Sequence, residues 1–438
     1  MGEFGRYSAL NILGMLGISC YILADTFFVA AALGADGLAA LNLAIPAYNF
    51  IHGAALCLGI GGAGRFTVLR SRGESGDAAF THALALGGLV SILGMALGLL
   101  GAETMASWMG AEGAVAEMTV TYLRMILLFT PLFVVNQIVL GFTRNDGGPQ
   151  RAMAAMVAGS FANIVLDYVL MFPLGMGILG AVLATGIAPV VSLWVLRPYF
   201  PGKRGHFRPV RCKLSWETCR HIAAGGVYSL VSESSGGVVM VVCNALALSL
   251  AGTVGVAAYG VVANIALVVT AIATGLSQGM QPLVSRSVGR GEGRMTVRLL
   301  GWGLLTALVL NAAVYGVMLL GAEPIAAAFN REGNGVLQQL ASQGLRLYFL
   351  GCIPAGVSIV ASAWLAAVGR GGASGLLSLL RGFLVVLPLL VLLSRRWGVT
   401  GLWLAVPVTE ALVCAAALVL TRRAAHGIIA ERKDGEPL

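Results

Sequence analysis

Long uninterrupted apolar runs are the feature that most constrains what this chain can fold into. Many runs extend over about 20 residues, which is the length that an α-helix needs to cross a bilayer. The strands of a membrane barrel would instead alternate apolar and polar residues, and these runs do not. Since only helices and closed barrels satisfy their backbone in lipid, the sequence predicts an all-α polytopic membrane protein.

Twelve runs qualify as membrane spans, and we number them span 1 to span 12. They cover residues 7–33, 42–64, 79–101, 120–142, 150–172, 178–199, 221–250, 255–280, 298–321, 345–368, 374–394 and 399–421. Glycine and proline are frequent inside these runs, which membrane helices tolerate better than soluble helices do. We therefore predict twelve transmembrane helices.

The composition agrees with a lipid environment. Only 11% of the 438 residues are charged and 58% are hydrophobic, whereas about 25% of the residues of a soluble domain are charged. These values exclude a soluble enzyme, a disordered chain and a nucleic-acid-binding protein. The seven cysteines show neither a disulfide framework nor zinc-ligand spacing. The N-terminus lacks a signal-peptide cleavage site, so we expect a retained first helix.

The basic residues predict the orientation. If the N-terminus is cytoplasmic, most of the 28 Lys and Arg residues fall on the inner side, Arg381 among them. Arg395 and Arg396 are exceptions in the last outer turn. The net charge of +9 thus reflects topology and requires no nucleic-acid partner. We expect a multi-pass protein of the bacterial inner (plasma) membrane with both termini in the cytoplasm.

The chain divides into two similar halves. Gly177 and Gly180, which open span 6, recur 221 residues later as Gly398 and Gly401 of span 12. Two six-span repeats in one orientation are typical of transporters. We predict an amino-terminal six-helix lobe, a cytoplasmic inter-lobe loop, a carboxy-terminal six-helix lobe and a cytoplasmic tail, at 1–200, 201–216, 217–421 and 422–438.

Four carboxylates lie within spans, where each costs roughly 2.5–3.5 kcal/mol on insertion scales. They are Asp25, Asp167, Glu233 and Glu410. The sequence places no Lys or Arg clearly at mid-depth to neutralise them. The compensating charge is therefore expected to be mobile: H⁺, Na⁺ or a cationic substrate.

Two of these acids lie in the outer half of the first six spans. Asn163 lies one turn before Asp167 on the same helix face, and Thr185 of span 6 has a similar depth. With Asp25, they form an oxygen-ligand set suited to Na⁺, but the two carboxylates could equally share a proton. Hydrogen bonding between helices is the structural alternative.

The remaining candidates concern the substrate. Glu233 and Glu410 could bind a cationic substrate or a second coupling ion, or simply bond to neighbouring Ser and Thr. Phe27, Phe28 and Tyr168 could contact hydrophobic cations through their ring faces, or pack against lipid or the protein core.

Motifs of catalysis and of nucleotide binding are lacking: the chain has no GxSxG, HExxH or Walker loop. We predict no enzyme activity, no ATP dependence and no cofactor beyond the coupling ion. A membrane-embedded enzyme would need a nucleophile–base or metal cluster. A flippase for lipid-linked oligosaccharides or polysaccharides would need basic residues lining its cavity.

Four segments resemble a known family. They are LADTFFVA at 23–30, LNLAIPAYNFIHGAALCLGIGGAGR at 41–65, NIVLDYVLMFPLGMGILGAVLAT at 163–185 and WGVTGLWLAVPVTE at 397–410. Over essentially its whole length the chain resembles the multidrug and toxic compound extrusion (MATE) transporters. The resemblance implies a monomer with two pseudo-symmetric six-helix lobes around a central cleft. It also implies export of amphipathic or cationic drugs in exchange for Na⁺ or H⁺ by alternating access; the alternative is a flippase of related architecture.

The resemblance also implies roles for individual residues. Asp25, Asn163, Asp167 and Thr185 match the amino-lobe cation site of several members, and Glu233 matches a carboxy-lobe acid. Span 10 here lacks the Asp that pairs with that acid in some members. Span 1 also lacks the proline at which some members bend this helix.

Overall fold

The computed structural model describes residues 2–200, 204–330 and 333–430, and every regular element in these ranges is helical. The α-helices are α1 Gly2–Ser71, α2 Asp77–Leu100, α3 Ala102–Trp108, α4 Gly113–Leu128, α5 Thr130–Asn145, α6 Pro149–Met171, α7 Gly177–Leu196, α8 Trp216–Gly289, α9 Gly293–Phe329, α10 Gly335–Tyr348, α11 Cys352–Ala367, α12 Gly371–Leu379 and α13 Val386–Ala430. A 3₁₀ turn at Phe349–Gly351 joins α10 to α11, and a π-helical turn at Leu380–Leu384 joins α12 to α13.

Three of the continuous helical stretches are too long to be single spans. Helix α1 has 70 residues, whereas about 20 residues cross a bilayer. Non-helical backbone interrupts α1 at Gly34, α8 at 251–252 and α13 at 397–398. When each stretch is divided at its break, and the 46° bent pair of α4 and α5 counts as one span, the described residues contain twelve spans. This confirms the predicted number.

The breaks also support the predicted repeat. Gly34 has φ 65° and ψ −150°, and Gly252 in the second half has φ 61° and ψ −153°. The predicted pair Gly177 and Gly398 likewise has φ of 56° and 58°. Side chains with a Cβ rarely adopt this conformation, so glycine allows the same break in both halves. The sequence predicts a loop at 34–41, but the structure replaces it with one non-helical residue.

The chain forms two compact units, Met1–Ser234 and Ser235–Leu438. We call them the amino-terminal unit and the carboxy-terminal unit. The predicted boundary at 201–216 stays a prediction; residues 201–203 of that loop and 431–438 of the predicted tail lie outside the described residues.

Close helix contacts through glycine organise the amino-terminal unit. Gly226 of α8 lies against the carbonyl oxygen of Cys57 in α1, so closely that a Cβ at Gly226 would overlap it. Small residues let membrane helices approach at backbone distance. This contact joins the beginning of α8 to the second half of α1.

The segment 204–215, which we call the strap, lies on the amino-terminal unit. Phe207 is only 1% exposed and its ring lies 5.0 Å from that of Phe80 and 5.5 Å from that of Phe142. The N–H of Ser215 donates to Nε2 of His82 at 2.9 Å. The strap is therefore held by an aromatic anchor at one end and a histidine acceptor at the other.

In the carboxy-terminal unit, the core lies among α8, α9, α10, α13 and the beginning of α11. Trp403 and Tyr259 are buried and stack with ring centroids 6.4 Å apart. Buried aliphatic residues of α10 and α13, such as Leu345 and Leu390, extend this core. The core fixes α13, whose second half contains Glu410.

Candidate cation site

Helix α6 has one buried and one exposed face. Asn163 and Asp167 are fully buried and four residues apart, so they share the inner face. Phe161 and Tyr168 are exposed on the other side. Pro149 begins the helix, where the missing N–H breaks no hydrogen bond. The helix thus directs an amide and a carboxylate into the amino-terminal unit.

Asn163 connects the predicted ligands of α6 and α7. In the amide orientation that satisfies its neighbours, Nδ2 donates to Oδ2 of Asp167 at 3.1 Å. The amide oxygen then accepts from the hydroxyl of Thr185 at 3.3 Å. The structure therefore brings three of the four predicted ligands into one hydrogen-bonded group.

The fourth predicted ligand, Asp25, belongs to the same neighbourhood. Its side chain is buried on α1 and lies close enough to Asp167 for electrostatic interaction. Oδ1 of Asp25 and Oδ1 of Asp167 are both buried without a hydrogen-bond partner in the described part of the chain. Within that part, no basic side chain lies close enough to offset either charge.

Tyrosines complete the site, and the sequence analysis missed them. Tyr122 of α4 shares a hydrogen bond with Thr185 and lies within electrostatic range of Asp25. The hydroxyls of Tyr21 and Tyr48 are 3.0 Å apart, and both rings also lie within that range of Asp25. A tyrosine in an apolar span gives little signal in one sequence, because its ring packs like any aromatic residue.

This arrangement can hold one small cation. Two ionised carboxylates buried without a counter-charge are unfavourable, and each has an oxygen free to bind a cation. Amide and hydroxyl oxygens from Asn163 and Thr185 could add hard ligands for Na⁺. A proton shared by Asp25 and Asp167 would likewise leave the pair with a single negative charge and remove their mutual repulsion. The oxygen set therefore fits either coupling ion.

Glu233 lies in the amino-terminal unit, close to its boundary, although the resemblance compares it with a carboxy-lobe acid. The helix α8 approaches α1 here at Gly53, where a Cβ would lie 3.0 Å from Cβ of Glu233. Tyr48 lies within electrostatic range of both Glu233 and Asp25. Tyr48 is therefore near both predicted acidic sites of this unit.

Glu410 differs from the other three acids because it is paired. Nε of Arg381 donates to Oε1 of Glu410 at 2.6 Å, and the hydroxyl of Ser358 donates to Oε2 at 3.2 Å. The prediction that no basic residue neutralises a carboxylate within the spans is wrong here. Arg381 lies in the helical stretch 371–396, within the π-helical turn that precedes α13, and its guanidinium reaches Glu410 of α13.

The three predicted aromatic residues form a cluster on the surface. Phe28 contacts Phe27 and Tyr168, with ring centroids 5.7 and 6.3 Å apart. Phe27 is 64% exposed and Tyr168 is 54% exposed. Tyr168 points away from the buried face of α6 that contains Asp167. The contact of these rings with substrate stays a prediction.

The chain is similar to known proteins over most of its length. The MatE family profile matches residues 11–169 and 231–392. The FAD transporter of Shewanella oneidensis is 27% identical over 438 residues, covering 97% of this chain and 95% of that protein. The multidrug export protein MepA of Staphylococcus saprophyticus is 23% identical over 424 residues, covering 95% of this chain and 92% of that protein.

A solved structure shares the fold. It is the outward-facing conformation of a multidrug resistance MATE family transporter, and it superposes with a TM-score of 0.90 at 24% sequence identity. The match covers 98% of this chain and 96% of that one. The all-α architecture with two six-helix lobes is thereby confirmed.

Proposed function

Because the chain belongs to the MATE family of multi-pass membrane transporters, we propose that it is a secondary active antiporter. It exports amphipathic, cationic compounds in exchange for Na⁺ or H⁺ by alternating access. The observation that supports this most directly is the pair of buried carboxylates Asp25 and Asp167, each with one oxygen that lacks a partner among the described residues.

The coupling follows from the charge of this pair. A monovalent cation that enters from outside offsets one of the two negative charges of Asp25 and Asp167, reduces their repulsion and draws their helices, α1 and α6, together. Transport requires that the cation and the substrate favour different conformations, since equal affinity for both would shift no population. Ion binding therefore has to stabilise the conformation that has lower substrate affinity.

The relatives support a broad substrate range. MepA is named a multidrug export protein, and its match extends over nearly all of this chain. We place the protein in a bacterial inner membrane as a monomer with both termini in the cytoplasm, since the basic loops then lie inside.

Transport by purified protein in proteoliposomes tests this proposal. Ethidium movement is followed under an imposed Na⁺ gradient and, separately, under an imposed proton gradient. We expect one gradient to drive transport in the wild type, and Asp167→Asn and Asp25→Asn to abolish it. Asp36→Asn is the matched control, because Asp36 is an exposed acid at the predicted loop of α1.

Unchanged ion-driven transport in Asp167→Asn would refute the site. Ethidium transport that neither gradient drives in the wild type would refute antiport itself. In that case, transbilayer movement of a lipid-linked oligosaccharide in the same vesicles would favour the flippase alternative.

A further inference from the structure

The carboxy-terminal unit contains a cavity of about 70 Å³ whose lining includes both Arg381 and Glu410. A buried water needs about 10–15 Å³ of such space, so the cavity has room for several waters or for a small polar group. Asn311, Tyr348 and Thr270 contribute further polar lining. The cavity is therefore charged and polar inside a mainly apolar helical unit.

The hydrogen bonds of the ion pair determine which kind of ligand the cavity can still bind. Both oxygens of Glu410 are occupied, one by Nε of Arg381 and the other by Ser358. A guanidinium has five N–H donors, and Nε uses only one of them. The Nη atoms of Arg381 have no hydrogen-bond partner among the described residues, and its side chain is 21% exposed. What the ion pair can still offer to a ligand is therefore hydrogen-bond donors.

The backbone around Arg381 is specialised. The N–H of Val385 donates to the carbonyl of Leu380 at 3.0 Å, which is the i to i+5 bond of a π-helical turn. Such turns are rare and are often found at functional sites. Gly382 lies against Ser235 of α8 so closely that a Cβ would overlap it. The turn and this contact together fix the backbone from which the Arg381 side chain extends towards Glu410.

Stability alone does not explain the pair. A buried ion pair is often no more stabilising than apolar residues of the same volume, and ionisable residues within spans usually mark a functional site. A cation gains little here, because Glu410 already has its counter-ion and the guanidinium repels positive charge. An oxyanion, in contrast, can take the free Nη donors in a two-pronged contact that arginine favours.

We propose that this cavity binds an oxyanionic group, a carboxylate or phosphate, of a transported molecule, with Arg381 as the donor and Glu410 as its resident counter-ion. This rests on the proposed transport function and extends its substrates from cations to zwitterionic and anionic compounds. The predicted role of Glu410 in cation binding is thereby replaced: Glu410 holds Arg381 in position.

A matched pair of fluorescent probes tests the assignment. Riboflavin and flavin mononucleotide differ only in a phosphate group, and their fluorescence reports equilibrium binding to the purified full-length protein. We expect the wild type to bind flavin mononucleotide about tenfold or more tightly than riboflavin, as hydrogen bonds to a charged group allow. Arg381→Lys keeps the charge but loses the two-pronged geometry, so this preference should fall several-fold.

Removing one partner of a buried pair can unfold the protein, so the decisive variant removes both charges. Arg381→Gln/Glu410→Gln should fold, as checked by thermal unfolding, and should bind both flavins with equal affinity. The exposed Arg395 of α13 gives the control Arg395→Gln, which should keep the wild-type preference. Equal affinities in the wild type, or an unchanged preference in the double variant, would overturn the proposal.

A membrane lipid is the other molecule whose phosphate group the free donors of Arg381 would bind. If phosphatidylglycerol binds in a manner that depends on Arg381 while flavin mononucleotide does not bind, the cavity is a lipid site and the substrate assignment is wrong. Equilibrium binding needs no ion gradient, so a negative result here is distinguishable from a failure of gradient-driven ethidium transport.

Discussion

The side-chain amide of Asn163 donates to Oδ2 of Asp167 at 3.1 Å, one helical turn away, while Oδ1 of that carboxylate has no partner in the described residues. The amide therefore fixes one oxygen and leaves the other available to a cation. Because its own oxygen meets the hydroxyl of Thr185, Asn163 also links α6 to α7.

We predict that Asn163→Ala weakens the coupling ion's apparent affinity. The change removes an amide oxygen that can bind Na⁺ and the donor that orients Asp167, and losing such a contact with a charged group costs about 1.5–3 kcal/mol, roughly 12- to 150-fold in Na⁺ affinity. The measurement is the ion concentration that gives half-maximal ethidium transport in proteoliposomes. Ser160→Ala is the control on the same face of α6, since Ser160 only bonds to the carbonyl of Met156. An equal shift in both variants would contradict a specific role for Asn163.

Tyr122→Phe tests the tyrosine that bonds to Thr185. The ring keeps its place in the core, so the protein should fold normally. Losing one hydrogen bond costs about 0.5–1.5 kcal/mol, and we expect a roughly 2- to 12-fold weaker coupling-ion affinity. Tyr315→Phe, in a partly buried position of α9, should leave the ion affinity unchanged. Wild-type ion dependence in Tyr122→Phe would show that the hydroxyl does not support the site.

The number of spans was predictable because hydrophobicity over about 20 residues is a property of the sequence alone. The grouping of Asn163 with Asp167 was predictable for a similar reason, since residues four apart share a helix face. In both cases the informative pattern is local, and helix geometry converts it directly into spatial position.

The pairing of Arg381 with Glu410 was not predictable in this way. The two residues are 29 positions apart and lie on different spans, so their contact depends on how these helices pack. The π-helical turn also shifts the register of the helix that contains Arg381. The spacing of hydrophobic residues along the sequence does not predict such a turn. Tyr122 was missed for a related reason, because its partner Thr185 belongs to another helix.

Gly226→Ala should destabilise the amino-terminal unit, because a Cβ there overlaps the carbonyl of Cys57 on α1. Overpacking of this kind costs about 1–3 kcal/mol. Gly236→Ala is the matched control on the same helix, since a Cβ there meets nothing within 4 Å. We expect thermal unfolding at a lower temperature for Gly226→Ala, and at an unchanged or slightly higher temperature for Gly236→Ala. Equal unfolding temperatures would show that the helices separate at little cost.

Phe207→Ala should release the strap from the amino-terminal unit. Phe207 is the strap's buried anchor among Phe66, Phe80 and Phe142, and truncating a buried phenylalanine costs about 3–5 kcal/mol. Because that energy fixes one end of a short segment, we expect faster tryptic cleavage at Arg211 and Lys213, together with a lower unfolding temperature. Leu214→Ala truncates a strap side chain that is 62% exposed and should leave both measurements unchanged. If the two variants were cleaved at the same rate, the hydrogen bonds at His82 and Asp146 would hold the strap without its aromatic anchor.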